Sequence, residues 1–255
     1  MSDWTLAADC SDTERDSFAT LDDVFALDGE FITKDPLSRV LRIALTDRRY
    51  YLKRYTGAGK NPLRRWFARP RVCAEWENLQ AFARWGIPTA RLVAWGAERR
   101  TGSFIRGALI TEEIRDTVDL AKMAQGEDPR LRDRAWVDRI SSQLARITRT
   151  LHDHGFTHND LKWRNLLVTS GDEPVVHLID CPNGGFWPRP FLHYRIVKDL
   201  ACLDKVARHQ LSRTQRLRFL LAYLETDRLT PEGKRWARAI ERAHGRRALR
   251  KRLGF

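Results

Sequence analysis

Long hydrophobic runs are missing from this 255-residue chain, and none approaches the roughly 18 apolar residues that a membrane-crossing helix needs. Cysteine is scarce as well. Cys10, Cys73, Cys181 and Cys202 stand far apart, with no CxxC pair and no histidine at zinc spacing. That excludes a disulfide scaffold and a structural zinc site, and it fits a reduced cytosolic compartment. The opening MSDWTLAADCSDTERD is acidic and has no apolar stretch, so no signal peptide is expected. Elsewhere acids are in deficit: 33 Asp and Glu face 46 Lys and Arg, a net charge of +13 and a pI of about 10.1. Such a field repels cationic substrates and favours an anionic partner, be it nucleic acid, an anionic membrane face or a phosphorylated substrate. A basic surface that serves only solubility is the bland alternative.

With 42% hydrophobic and 31% charged residues, the composition is that of a soluble globular protein of one large domain or two small lobes. Residues 30 to 55 read as strands: EFIT, then RVLRIAL, then YYLKRY, separated by the turns KDPLS and TDRR. Alternation puts Tyr51, Lys53 and Tyr55 on one strand face, where a lysine is costly to bury unless an anion meets it. From Cys73 to Trp85, Trp76, Leu79, Phe82 and Ala83 recur at helical spacing, and Gly86 stops the helix. RLVAWG and GALITEEI read as two further strands, giving five strands around one helix. Beyond residue 117 the chain is mostly helical. Trp136, Ile140, Leu144, Ile147 and Leu151 form one stripe, LLV and VVHLID are short strands, and KDLACLDKVA and the segment after the Ser212–Gln215 capping box are helices. The expectation is an α+β chain with a β-rich lobe over 1–113, a helical lobe over 114–255 and a joint near Glu112 to Arg115.

The stretch HNDLKWRN carries the chemistry. His158, Asp160 and Asn165 match the spacing H-x-D-x-x-x-x-N of a kinase catalytic loop. There an aspartate takes the proton of an acceptor hydroxyl, and an asparagine turns back to a metal on the nucleotide phosphates. Lys162 stands between them, where an ammonium neutralises charge on the transferred phosphoryl. Asp180 ends VVHLID 20 residues after Asp160 (180 − 160), as a second metal-binding carboxylate should, although Cys181-Pro182 follows it in place of Phe-Gly. Lys53 has the strand context of a phosphate-gripping lysine. Its partner is expected on the next helix: Glu75, which shares a face with Leu79 and Phe82, with Glu77 as the fallback. GAGKN (57–61) is not a Walker A motif, because Arg54 stands at the first glycine position and Asn61 replaces Ser/Thr. No glycine-rich loop is present either. TKDPLSR occupies its place, so phosphate contact there falls to amides around Ser38 or to Lys34.

With Lys53, Glu75, HxDxxxxN and Asp180 in order, the chain resembles the protein-kinase-like superfamily. More narrowly it resembles the bacterial lipopolysaccharide core kinases, which phosphorylate heptose or Kdo sugars of the inner core. RRYYLKRY, GAGKNPLRRWFARPR, EWENLQAFARWGIPT, HNDLKWRNLL, HLID and RIVKDLACL carry the likeness. The first 25 residues and the tail after 230 do not. The resemblance implies a two-lobed fold, ATP and Mg2+ as cofactors, and a lipopolysaccharide core or similar anionic glycolipid as acceptor. It also implies placement at the cytoplasmic face of the inner membrane. In the roles it carries over, Asp160 is the base and Lys162 stabilises charge. Lys53, Glu75, Ser38, Glu112 and Ile114 contact or position the nucleotide, and Asn165 and Asp180 hold metal. His158 supports the loop, as Asp199 does from its helix.

Rival readings are a small atypical Ser/Thr protein kinase, a pseudokinase that binds without transfer, and an aminoglycoside or choline kinase, whose cationic acceptor the charge would repel. No nucleic acid is expected, since the Trp and Phe residues fall mostly on helix stripes and not among basic residues on a sheet face. The basic, aromatic insertion at Arg64, Arg65, Trp66, Phe67, Arg69 and Arg71, and the tail, where Trp236, Ala239, Ile240 and Ala243 recur at helical spacing under an Arg-rich face, are expected to meet an anionic bilayer; for the tail, with Glu241 beside Arg242, a solvated helix face is the alternative.

Overall fold

The computed structural model describes residues 2–56 and 69–252. Two compact units emerge. The first holds Met1–Arg84, Thr89–Arg115 and Asp180–Asn183, and the second Trp85–Pro88, Asp116–Ile179 and Gly184–Phe255. This differs from a single cut after residue 113 by two residues at the joint (115 against 113) and by the short segments Trp85–Pro88 and Asp180–Asn183.

In the first unit β-branched and aromatic residues alternate along the chain and build one antiparallel sheet. Its strands are β1 (Ser2–Leu6), β2 (Glu30–Lys34), β3 (Ser38–Leu45), β4 (Arg48–Tyr55), β5 (Leu92–Arg100) and β6 (Ser103–Glu112), in the order β1-β5-β6-β4-β3-β2. On one face α1 (Asp12–Ser17) and α2 (Leu21–Ala26) seal a core in which Phe18, Leu21 and Val24 meet Leu41, Tyr50, Leu52, Val93 and Ile110. α3 (Arg71–Arg84) packs on β5 and β6. Gly107 permits its close approach, because a Cβ there would lie 2.9 Å from Val72 Cγ1 and 2.7 Å from the Gly96 carbonyl.

The five-strand expectation missed β1, α1 and α2. Both helices open on capping boxes, Ser11 with Glu14 and Thr20 with Asp23, and those were their local signals. The stripe of α3 is also corrected: Val72, Glu75, Leu79 and Phe82 are buried, whereas Trp76 is half-buried and Ala83 is exposed. Spacings of three, four and three carry the inward face past Ala83, which turns about 100° away from Phe82.

In the second unit the helices are α4 (Leu120–Gln125), α5 (Arg134–Asp153), α6 (Arg189–Gln210), α7 (Arg213–Tyr223) and α8 (Pro231–Arg252). Its strands are β7 (Thr117–Asp119), β8 (Phe156–Thr157), β9 (Leu166–Thr169), β10 (Val176–Leu178) and β11 (Gly185–Phe186), paired as β10-β9-β7 and β11-β8. The α5 stripe of Ile140, Leu144, Ile147 and Leu151 is buried, with Trp136 half-buried. α6 begins nine residues before Lys198 (198 − 189), because Pro188 and Pro190 sit at a helix start, where a missing N–H removes no bond.

Within the second unit the apolar face of the tail is covered. Trp236 and Ile240 pack on Ala145, Ile196, Leu200, Leu220 and Tyr223, and the Trp236 ring lies 4.6 Å from that of His193. Arg64, Arg65, Trp66 and Phe67 lie outside the described residues, while Arg69 pairs with Glu77. No helix among the described residues is long and apolar enough to cross a membrane.

Candidate active site

Lys53 sits in mid-sheet on β4, opposite Val40 of β3 and Leu109 of β6. Its ammonium lies 3.0 Å from Glu75 Oε1 and 2.5 Å from Asp180 Oδ1. Burial alone would push the ammonium pKa down, but Glu75, Tyr55 and Asp180 reverse this and hold it well above its ordinary value. Glu75 is 3% exposed, and the Tyr55 hydroxyl donates to its second oxygen. Burial raises the Glu75 carboxyl while Lys53 pulls it back. The Tyr55 phenol, raised well above its usual range by burial and by Glu75, stays a donor at neutral pH. Truncating one partner of so buried a pair costs about 3–5 kcal/mol. Glu77 is exposed and does not join this group.

One turn after Glu75, the Asn78 side chain donates to the Cys181 carbonyl at 2.8 Å. α3 therefore braces both Lys53 and the backbone that follows Asp180. Sequence reasoning missed Asn78, although a polar residue three positions from Glu75 on the apolar face of a helix was a signal. Asp180 itself does not end a long strand. β10 stops at Leu178, and Asp180 adopts φ +59°.

The second unit supplies HNDLKWRN. Asp199 on α6, 1% exposed, accepts the backbone N–H of His158 at 2.7 Å and that of Asn159 at 2.9 Å. His158 is fully buried, and Asn159 takes φ +62°, a left-handed turn that asparagine tolerates. Asp160 follows. Its carbonyl accepts from Asn165 Nδ2 at 2.9 Å and from Lys162 N at 2.8 Å, which folds the loop on itself. The carboxylate carries Lys162 on one oxygen and Arg164, at 3.1 Å, on the other. Arg164 had escaped the sequence reading. The Asn165 carbonyl accepts from Ile179 N at 3.0 Å, and the Trp163 indole anchors to the Leu203 carbonyl at 3.0 Å.

Ser38 is corrected. The Asp35 carboxylate already accepts Leu37 N at 2.6 Å, Ser38 N at 2.9 Å and Ser38 Oγ at 2.9 Å, so the amides expected to meet phosphate bind their own turn. Burial pushes the Asp35 carboxyl up, but these three donors leave it below its ordinary value. Lys34 is exposed on β2. The Glu112 carboxylate is held by Arg91 at 2.7 Å and Arg48 at 3.4 Å, and Ile114 follows β6 half-buried.

No cluster of three or more His, Cys, Asp or Glu suited to a metal occurs among the described residues. Taken singly, Asp180 of the first unit and Asn165 of the second each carry an oxygen donor of the kind magnesium takes. Asp180 offers a carboxylate 37% exposed, and Asn165 directs its amide nitrogen to Asp160, leaving a carbonyl oxygen as its donor atom. Hard oxygens in small number suit an ion that takes its other ligands from phosphates and water.

A model of the lipopolysaccharide kinase (Kdo/WaaP) family matches residues 36–223. The chain is 29% identical over 123 residues to a 3-deoxy-D-manno-octulosonic acid kinase of Actinobacillus succinogenes, a match covering 46% of this chain and 48% of that enzyme. It therefore aligns with about half the length of that relative. It is 28% identical over 225 residues to the lipopolysaccharide core heptose(I) kinase WaaP of Pseudomonas aeruginosa, covering 82% of this chain and 81% of WaaP. Among solved structures, a WaaP in complex with acyl carrier protein aligns with a TM-score of 0.72 at 22% identity, over 96% of this chain and 98% of that one. That likeness is one of fold.

Proposed function

The chain belongs to the lipopolysaccharide kinase (Kdo/WaaP) family, and we propose that it transfers the terminal phosphoryl group of ATP to a heptose or Kdo hydroxyl of the lipopolysaccharide inner core. The observation that carries this reading is Asp160, presented by a loop that Asp199 and Asn165 hold rigid, in a chain whose Lys53 is locked between Glu75 and Asp180. The acceptor oxygen attacks the terminal phosphorus, the bond to the ADP oxygen breaks, and Asp160 takes the hydroxyl proton. Lys53, held by Glu75, grips phosphate oxygens, and Lys162 offsets charge on the group in flight. Asp180 and Asn165 would hold Mg2+, which when bound neutralises phosphate charge. Glu112 and Ile114 remain proposed nucleotide contacts.

Acyl carrier protein, the partner in the WaaP structure, is proposed as a partner here too. Support comes from an apolar cavity of about 240 Å³ in the second unit, walled by Leu120, Val137, Ile140, Leu144, Leu203 and Leu220. Co-purification of the two proteins tests it. The net charge of +13 supports reversible attraction to an anionic inner-membrane face, which should weaken as salt rises. Vesicle sedimentation at low and high salt tests that. For the main reading, the purified chain is incubated with ATP, magnesium and core oligosaccharides. Mass spectrometry should show one added phosphoryl group on sugar; phosphate on a protein serine, or none, would overturn the proposal.

A further inference from the structure

Most half-buried arginines of the second unit grip a carboxylate. Arg216 chelates Asp204 at 2.6 and 2.8 Å, and Arg149 and Arg218 hold Asp153 and Asp138. Arg195 does not. No ion pair joins it to a carboxylate among the described residues, yet its guanidinium is held in place from two sides. Its carbon lies 3.8 Å from the centre of the Trp187 ring, and Nη1 donates to Asn159 Oδ1 at 3.4 Å.

Asn159 is the residue before Asp160, and its N–H is fixed by Asp199, one turn along α6 from Arg195. A pre-oriented cation thus stands beside the loop that presents the base. Nearby positions on α6 are apolar and open: Phe191 is 61% and Tyr194 49% exposed, four and one residues before Arg195. An ammonium on a flexible stem can roam for a counter-ion, whereas a stacked guanidinium presents a fixed fork that matches a carboxylate or phosphate. Stacking on an indole also keeps the charge where solvent screens it less.

We propose that Arg195 binds the anionic group of the acceptor, a sugar carboxylate or phosphate, and so orients the reacting hydroxyl toward Asp160. This rests on the kinase reading above and adds to it a residue that selects the substrate. Trp187 and Asn159 hold the fork, and the rings of Phe191 and Tyr194 flank the sugar.

The test compares wild type, Arg195→Gln and Arg195→Lys on matched acceptor fragments. One pair differs only by reduction of the sugar carboxyl to an alcohol, and a second only by removal of a sugar phosphate. Arg195→Gln should raise the acceptor KM about 10- to 100-fold, the effect of losing a charge-assisted bond, with the KM for ATP unchanged. Wild type should lose the same factor on the fragment that lacks the recognised group, and the variant should not tell the two fragments apart. Whichever pair shows this identifies the group as carboxylate or phosphate. Arg195→Lys keeps the charge without the fork and should fall between. Calorimetric titration of the charged fragment without ATP gives an independent arm, in which wild type binds and Arg195→Gln does not. If transfer fails but this difference in binding stands, the kinase reading falls and the anion site survives. If wild type treats charged and neutral fragments alike, or Arg195→Gln loses kcat equally on both, the residue only positions the loop through Asn159 and the proposal is overturned.

Discussion

Replacing Asp199 by asparagine is the sharpest probe of how the catalytic loop is held. The carboxylate is 1% exposed and accepts two backbone N–H groups, from His158 at 2.7 Å and Asn159 at 2.9 Å. The amide has nearly the same shape, so little packing changes. It keeps one acceptor oxygen, but its NH2 group must face one of the two N–H donors. One charge-assisted bond is lost, worth about 1.5–3 kcal/mol, and one buried donor is left facing another, at about 1–3 kcal/mol. Since the two costs overlap in part, the net loss is about 2–5 kcal/mol, a large share of the 5–15 kcal/mol that holds a typical domain. With a urea slope of about 2 kcal/mol per molar, the midpoint of the second unit should fall by about 1–2.5 M at constant slope. Amide exchange at His158 and Asn159 should quicken before α6 itself opens. Turnover should fall as well, because Asp160 is the next residue. A midpoint within about 0.25 M of wild type, with unchanged exchange at those two amides, would refute the reasoning.

Three further outcomes follow from the geometry. Asp160→Ala should cut phosphoryl transfer by about 10²–10⁴ with little loss of stability, since among the described residues its carboxylate pairs with the half-buried Lys162 and the exposed Arg164 and with no fully buried cation; near-normal transfer would remove Asp160 as the base. Asp180→Asn should lower turnover by about 10²–10³ yet spare part of nucleotide binding, because Lys53 keeps Glu75; titrating ATP with and without magnesium checks this, and full activity sinks it. Glu14 is held below its ordinary value of 4.5: burial opposes this, but Ser11 N, Tyr50 and Arg91 outweigh it. A carboxyl so depressed contributes fully above its ordinary value and loses that contribution as pH falls through the depressed one. Glu14→Gln should therefore lower stability at neutral pH by about 1–3 kcal/mol and flatten the acid limb below about pH 4.5; parallel pH profiles for variant and wild type would contradict it.

Legibility in the sequence followed the range of each interaction. The α+β class was readable because periods of two and of 3.6 residues are local. The HNDLKWRN loop was readable because its parts must fold back within a few residues, as the Asn165 to Asp160 bond does. Glu75 was chosen from its face on α3, and the structure pairs it with Lys53. By contrast, Glu14 meets partners 36 and 77 residues away in Tyr50 and Arg91, and no window on the sequence contains them. Ser38 failed for a different reason. Asp35 folds over its own turn, a local habit of aspartate that competes with any external anion for the same amides.

The same competition accounts for how the charges are arranged. Each carboxylate proposed for the chemistry already meets a cation of the chain: Lys53 lies on Glu75 and Asp180, and Lys162 and Arg164 lie on Asp160. The +13 excess is therefore not concentrated on these groups, which are close to locally balanced. A long-range field can raise the arrival rate of an anionic substrate, but it cannot choose one. Selection needs a cation that is oriented and lacks a carboxylate partner. Backbone geometry adds a second constraint. Asn159 and Asp180 both take left-handed φ values, +62° and +59°, a conformation costly for most side chains and tolerated by these two types. The first turns the chain into Asp160, and the second sets the Asp180 carboxylate on Lys53. Asp180 thus answers to two demands at once, a carboxylate for Lys53 and a left-handed backbone, and few side chains meet both.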